Sequence, residues 1–338
     1  MPSPTDRHVR WAIEVPGHQA HAFSVTPDRS SALIADGWGV AYRSLSLRRF
    51  DLGSGELRAT VRLGDAARAF AYSPDGSQVL VASDKRLRRL DLDTLTVLEV
   101  WDRRVPRYAQ ALGWSSDKVV LKNAQSRVAH VFDLARGAQR RHTVGRGATL
   151  LPCPDGGFVA LCSEEGSGAV WHFEDLAGPP RRIRETPAFI SGAIDGEGSL
   201  WLALGQRTIE SSERATADIE VRRAGPGQPA STLRHYAAGS ASFDDRALPF
   251  RFGEIAAARS ELWLTRIDPT DTQPDSDYGG FRGVPLAVER LRTPSLESIG
   301  TLVAPAGHRV AAAFPDAGVV FSSRPRYEDS RADVACLA

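Results

Sequence analysis

Short apolar runs recur seven times along this chain of 338 residues, and each run follows a tight turn. The runs are rich in Val, Ile, Leu and Ala, a composition typical of strands buried on both faces. Recurrence of one such unit along a whole chain predicts a repeat architecture before any residue is considered for chemistry. The runs are Ser31–Asp36, Gln78–Ser83, Lys118–Asn123, Gly157–Ser163, Ser199–Gly205, Glu261–Ile267 and Gly318–Ser323.

The turns before these runs share Pro, Asp, Gly and Ser, the residues that close β-hairpins. The turn aspartates Asp28, Asp75, Asp117, Asp155 and Asp195 are 47, 42, 38 and 40 residues apart. That interval matches the roughly 40 to 50 residues of a four-stranded propeller blade. The sequence therefore predicts an all-β chain folded as a seven-bladed β-propeller.

The clearest repeat also carries a family resemblance. Its segment Ala71–Ser83, AYSPDGSQVLVAS, resembles the first hairpin of a repeat in WD-repeat and YVTN-like bacterial β-propellers. The dipeptides Phe50-Asp51, Leu90-Asp91 and Phe132-Asp133 stand where that repeat ends its third strand, and Gly17-His18 and Gly307-His308 are similar to its Gly-His dipeptide. The resemblance implies a scaffold and specifies no activity.

The two ends of the chain are expected to meet in the last blade. Its outermost strand is missing from the C-terminal repeat, whereas residues 7–15 form an isolated strand-like segment. Pairing the two removes an exposed sheet edge. We predict one domain over residues 1–338, with the closing strand at 7–15. The predicted blades are 21–63, 68–101, 109–144, 148–185, 190–236, 250–303 and 308–338.

Composition narrows the classes of partner. Lys and Arg total 42 against 41 Asp and Glu, so the net charge provides no basic footprint for nucleic acid or for an anionic membrane. The apolar runs are far shorter than the roughly 18 residues of a membrane span, and the N-terminus has no signal-sequence pattern. We therefore expect a cytoplasmic protein that binds neither nucleic acid nor membrane.

Loop length predicts a working surface. If the strands of a blade are A to D, the A–B and C–D turns emerge on one face. The B–C and D–A connections emerge on the other, which we call the top face. The long segments belong almost wholly to the top face: Gly37–Ser44, Asp102–Tyr108, Gln206–Ala217, Ala237–Pro249, Asp268–Gly283 and Arg324–Arg331. Function in repeat proteins concentrates in such loops, so we predict a non-catalytic intracellular scaffold that binds a protein or peptide there.

Aromatic and arginine residues of these segments are the binding candidates, because Trp, Tyr and Arg are enriched at interface hot spots. The alternative is that the aromatic rings only anchor long loops onto the propeller. The candidates are Trp38, Tyr42, Arg43, Tyr108, Phe243, Arg246, Tyr278, Arg282, Arg326 and Tyr327.

One long segment is acidic. Asp268, Asp271, Asp275 and Asp277 offer oxygen ligands that calcium prefers, but they lack the spacing and the closing glutamate of an EF-hand. A solvated, charged loop explains the same composition. We expect neither a metal nor a cofactor.

A small-molecule enzyme is the second hypothesis. The chain has no Gly-x-Ser-x-Gly, His-Glu-x-x-His or phosphate-binding loop motif. Propeller enzymes instead assemble sites from single residues on separate blades, at the top mouth of the central channel. If the protein is a lactonase, lyase or cyclase, its candidate catalytic residues are His21, Arg251 and Glu254. Arg251 and Glu254 lie on a predicted inner strand at Pro249–Ile255. A paired, purely structural channel lining is the competing reading.

Overall fold

The computed structural model describes most of the chain, and these residues form antiparallel β-sheets. It covers residues 8–17, 22–37, 40, 44–102, 105–154, 156–164, 167–187, 189–204, 207–211, 214–224, 231–241, 254–258, 260–267, 286–305, 308–326 and 330–338. None of these segments forms a helix capable of crossing a membrane.

The strands are numbered in chain order. They are β1 (Val9–Pro16), β2 (Phe23–Val25), β3 (Ser31–Ala35), β4 (Ser46–Asp51), β5 (Leu57–Arg62), β6 (Ala67–Tyr72), β7 (Gln78–Ser83), β8 (Leu87–Asp91), β9 (Val97–Trp101), β10 (Ala111–Ser115), β11 (Lys118–Lys122), β12 (Val128–Asp133), β13 (Gln139–Thr143), β14 (Arg146–Pro152) and β15 (Phe158–Glu164). The remaining strands are β16 (Ser167–Phe173), β17 (Arg181–Pro187), β18 (Phe189–Ile194), β19 (Leu200–Leu204), β20 (Arg207–Ser211), β21 (Arg214–Ala224), β22 (Ser231–Ala241), β23 (Ile255–Ala257), β24 (Glu261–Ile267), β25 (Leu286–Arg292), β26 (Glu297–Val303), β27 (Arg309–Phe314), β28 (Val319–Arg326) and β29 (Arg331–Leu337).

Seven sheets result, one for each predicted blade. Blades one to four are the meanders β2 to β5, β6 to β9, β10 to β13 and β14 to β17. Blade five contains β18 to β22, blade six contains β23 to β26, and blade seven contains β27 to β29 together with β1.

The chain divides into two compact units. One unit comprises Val15–Thr186 and Arg326–Ala332 and holds blades one to four. The other comprises Met1–Glu14, Pro187–Pro325 and Asp333–Ala338 and holds blades five to seven. The single-domain boundary 1–338 stays a prediction.

In the first unit, the second strand of each blade is buried on both faces. Val79 and Val81 of β7 pack against blade one, whereas Leu80 of the same strand packs against blade three. Successive side chains of a strand point to opposite faces, so a continuous apolar run is what a strand between two neighbouring blades requires. The run that identified each repeat in the sequence is therefore the core of each blade.

The second unit is packed in the same way. Leu262 and Leu264 of β24 pack against Trp201 of blade five, and Trp263 between them packs against Val320 of blade seven. The alternation again assigns one face of the strand to each neighbouring blade.

Closure of the last blade by the N-terminal strand is confirmed. The sheet order is β1, β29, β28, β27, so β1 supplies the missing outer strand. Trp11 of β1 is buried, and its ring centroid lies 5.8 Å from that of Phe321. The amide of Ala338 donates a hydrogen bond to the carbonyl oxygen of His8 at 2.8 Å.

Four local predictions were wrong. Much of Gln206–Ala217 is not a loop, because β20 and the start of β21 pair with each other. Long β22 pairs with β21 as far as Ala241, so the following connection begins later than predicted. The physical reason is that β21 is 11 residues long and extends beyond the five-residue β19, which leaves an edge that β20 fills. Arg326 ends strand β28 instead of lying in a loop, and Glu254 immediately precedes the short inner strand β23.

Candidate functional site

Most of the predicted site residues lie outside the described part of the chain. This applies to the binding candidates Trp38, Tyr42, Arg43, Phe243, Arg246, Tyr278, Arg282 and Tyr327, to His21 and Arg251 of the enzyme hypothesis, and to Asp268, Asp271, Asp275 and Asp277. The described candidates are Tyr108, Arg326 and Glu254. The backbone carbonyl of Glu254 accepts a hydrogen bond from the amide of Thr265 at 2.9 Å.

Tyr108 has an unusual backbone conformation in the connection between blades two and three. Its φ angle is 57°, a left-handed value that is uncommon for bulky residues. Its side chain is nevertheless 49% exposed, so no burial of the ring offsets the conformational cost. Such positions persist only where the surroundings fix them, and they concentrate at functional sites.

Hydrogen bonds from both flanking blades hold this connection. The Tyr108 amide donates to the carbonyl oxygen of Asp84 at 3.1 Å, and Asn123 Nδ2 donates to the carbonyl oxygen of Arg107 at 3.1 Å. Gln110 is held through both backbone and side chain: its amide donates to the Lys122 carbonyl at 2.9 Å, and its Oε1 accepts from the Ala124 amide at 3.0 Å. The Tyr108 ring is therefore displayed from a fixed backbone.

Buried ionic groups of blade two lie below this connection. Asp84 is 3% exposed, and its Oδ1 lies 2.7 Å from Arg68 Nε. Asp65 and Arg88 form a second buried pair at 2.7 Å, and the Ser83 hydroxyl bridges them, since it donates to Asp65 and accepts from Arg88. These pairs fix the ends of the strands from which the top-face connections leave.

Blade three has a buried lysine at the end of its second strand, the position that Ser83 occupies in blade two. Lys122 is 1% exposed, and its Nζ donates hydrogen bonds to the carbonyl oxygens of Asn123, at 3.1 Å, and of Ser126. Burial lowers the pKa of Lys122. Sequence reasoning missed this residue, although a lysine at the end of an otherwise apolar strand in a chain with three lysines was a usable signal.

The two faces of blades two and three differ in charge. The described connections on the top face, at 84–86, 102, 105–110, 123–127 and 144–145, contain the cations Lys85, Arg86, Arg107 and Arg127 and the acids Asp84 and Asp102. The turns on the opposite face, at 73–77, 92–96, 116–117 and 134–138, contain the acids Asp75, Asp93 and Asp117 and the cation Arg136, and the turn at 174–180 of blade four adds Glu174 and Asp175.

Hydrogen bonds favour the ionised form of two turn carboxylates on the opposite face, Asp75 and Asp175. A hydrogen bond from the Ser73 hydroxyl is the main cause that lowers the pKa of Asp75. The amide of Gly178 has the same effect on Asp175. Each carboxylate accepts hydrogen bonds that shape its own turn, so the acidity of this face follows from hairpin chemistry.

Three half-buried histidines lie in surroundings that favour their neutral form. Burial lowers the pKa of His130, His142 and His308 below the ordinary value of 6.5. His308 Nδ1 also lies 3.2 Å from the hydroxyl of Ser322. The arrangement of His308 is that of a structural hydrogen-bonding residue.

These histidines predict a pH dependence of stability. Their pKa is lower in the folded state, so the unfolded chain binds more protons below about pH 6.5, and the melting temperature should fall between about pH 7 and pH 5.5. Replacement of the histidine that lies beside the Ser322 hydroxyl, His308→Gln, should reduce that fall. Differential scanning fluorimetry across this range measures it, and a melting temperature that rises on acidification would contradict the assignment.

Comparison with solved structures identifies the architecture. The β-propeller domain of Cps50 (Swd1) from "Myceliophteria thermophila" superposes with a TM-score of 0.60 at 9% sequence identity, covering 97% of this chain and 98% of that one. The WD40 repeats of RRP9 superpose with a TM-score of 0.57 at 11% identity, covering 98% and 99%. The chain is a seven-bladed, WD-repeat-like β-propeller.

The fold of this propeller does not by itself select a function. Hydrazine synthase from Kuenenia stuttgartiensis also superposes, with a TM-score of 0.57 at 13% identity, over 95% of this chain and 96% of that one. No protein-family model matches the sequence, and no curated protein sequence matches it. WD40 domains and an enzyme thus share the architecture, and function has to be argued from residues.

Proposed function

We propose that this propeller is a non-catalytic scaffold that binds a protein or peptide through the connections of its top face, in the cytoplasm and without nucleic acid or membrane. The observation that carries the proposal is Tyr108, an exposed aromatic ring on a backbone held at positive φ by hydrogen bonds from two blades. An amphipathic ring with few rotatable bonds on a fixed backbone loses little conformational entropy on binding, which is why Tyr is frequent at hot spots.

Replacement of Tyr108 should weaken partner binding without unfolding the propeller. Tyr108→Asn is the suitable variant, because Asn tolerates the left-handed conformation better than most residues. We expect a loss of about 2 kcal/mol of binding free energy and a change in stability of less than about 0.5 kcal/mol. Capture of partners from a lysate of the native organism, followed by titration of the purified partner, measures the first quantity.

The matched control lies on the outer strand of blade two. Leu98 is 49% exposed, the same fraction as Tyr108, but it lies on β9 and not in a top-face connection. Leu98→Asn should leave capture intact. Equal loss of capture in both variants would reject the top face as the binding surface.

The enzyme hypothesis remains the alternative. Turnover of a small molecule by the purified protein, abolished in Glu254→Gln but retained in Tyr108→Asn, would favour a lactonase, lyase or cyclase site at the top mouth of the central channel over a scaffold.

A further inference from the structure

Three cations on the top face of blades two and three are exposed and lack acidic partners. They are Lys85, Arg107 and Arg127, and none of them forms an ion pair with a carboxylate among the described residues. Each lies in a described segment that the hydrogen bonds around Tyr108 join together, at 84–86, 105–110 and 123–127. We call these three segments the Tyr108 surface.

The acid nearest to Tyr108 in this surface is already neutralised. Asp84 is buried and bound to Arg68, so it does not offset the exposed cations. Lys122 holds the 123–127 turn through carbonyl oxygens and uses no carboxylate in doing so. Asp102, which borders this surface, is exposed and offsets one of the three exposed cations, so the exposed charge stays positive, although the chain as a whole has a net charge of only +1.

The opposite face carries charge of the opposite sign. Its turns carry ionised aspartates such as Asp75 and Asp117, so blades two and three are positive on one face and negative on the other. An anionic ligand approaching such a unit is attracted to one face and repelled from the other.

From this charge distribution we infer that the Tyr108 surface binds an acidic peptide segment of a protein partner. The inference rests on the proposed scaffold function and adds the chemistry of the partner. Lys85, Arg107 and Arg127 would pair with Asp or Glu side chains, and the Tyr108 ring would pack against an apolar residue between them.

A peptide fits this surface better than a nucleic acid. Binding to a nucleic-acid backbone is strongest where many cations neutralise successive phosphates, about 6 to 10 in a strongly salt-dependent complex, whereas the Tyr108 surface offers three exposed cations. A short acidic segment needs only the few cations that the Tyr108 surface provides.

The test is a titration of the purified full-length protein with a fluorescent peptide of Glu, Leu and Ser, at low and at high salt. A neutral peptide with Gln in place of Glu and a single-stranded RNA of similar length serve as competing probes. The key variant is Arg107→Glu/Arg127→Glu. Its matched control is Arg141→Glu/Arg181→Glu, which changes the net charge equally at exposed arginines of the outer strands β13 and β17.

We expect the acidic peptide to bind in a salt-dependent manner, and the key variant to weaken it about tenfold or more while the control changes the affinity less than about twofold. Equal weakening in both variants, equal binding of the Gln peptide, or stronger binding of the RNA would overturn the inference. If partner capture depends on Tyr108 but the purified protein does not bind the acidic peptide, only the inference is rejected. Capture that is unaffected by Tyr108→Asn would reject the proposed function itself.

Discussion

Deletion of residues 1–15 is expected to abolish cooperative folding of the propeller. These residues include nearly all of β1, the outer strand of blade seven, and bury Trp11 at 7% and Val15 at 1% exposure. Burial of each large apolar side chain contributes about 1.5 to 3 kcal/mol, and β29 would lose its ladder as well. The sum is comparable with the roughly 5 to 15 kcal/mol that stabilises a whole domain.

Thermal unfolding followed by circular dichroism measures this effect. Deletion of residues 1–7 alone is the matched control, because it leaves β1 intact, and it should leave the melting temperature nearly unchanged. A 1–15 deletion that melts cooperatively at the temperature of the full chain would show that β1 is dispensable.

Loss of Arg88 should cost about 3 to 5 kcal/mol, since it would leave the Asp65 carboxylate buried without its counter-ion. Both side chains are about 5% exposed or less, at a separation of 2.7 Å. Arg88 Nη2 also donates to the carbonyl oxygen of Leu63 at 2.8 Å, so Arg88→Met leaves a second buried acceptor unsatisfied. Urea denaturation of Arg88→Met should show a markedly lower midpoint.

An exposed pair of similar geometry provides the comparison. Arg292 and Glu297 are 2.9 Å apart, but their side chains are 59% and 63% exposed. Arg292→Met should change stability by less than about 1 kcal/mol, because solvent screens the pair. The double variant Asp65→Asn/Arg88→Met should recover part of the loss of the single variant. Equal destabilisation by Arg88→Met and Arg292→Met would contradict a buried ionic role.

The seven-blade architecture could be predicted because it depends on local patterns that every blade repeats. A run such as Gln78–Ser83 must be apolar on both faces to lie between two blades, and its preceding turn needs the hairpin chemistry of Asp75. The apolar run and the turn each involve residues that are near neighbours in sequence, so both can be recognised in the sequence alone. Closure by β1 followed from counting strands.

Blade five shows where such reading fails. Residues 207–217 have the composition of either a polar loop or a strand pair, and the choice depends on whether a free edge is available. The long strand β21 supplies that edge, and its length is fixed by pairing with β22. Paired residues of the two strands are up to 26 positions apart in sequence, as in Ala215 and Ala241. A window of local sequence contains no such information.

The sequence by itself determined that the chain is an all-β propeller with seven blades and that its overall charge is balanced. Only the tertiary structure decided how those charges are arranged. Asp84 and Asp65 are neutralised inside blade two by arginines, Lys122 is withdrawn from the surface, and the Tyr108 backbone is held by the hydrogen bond that its amide donates to the carbonyl oxygen of Asp84. The physical reason is that hairpin periodicity is a short-range property of the chain. Pairing of charges and exposure of a ring depend instead on which distant strands pack together.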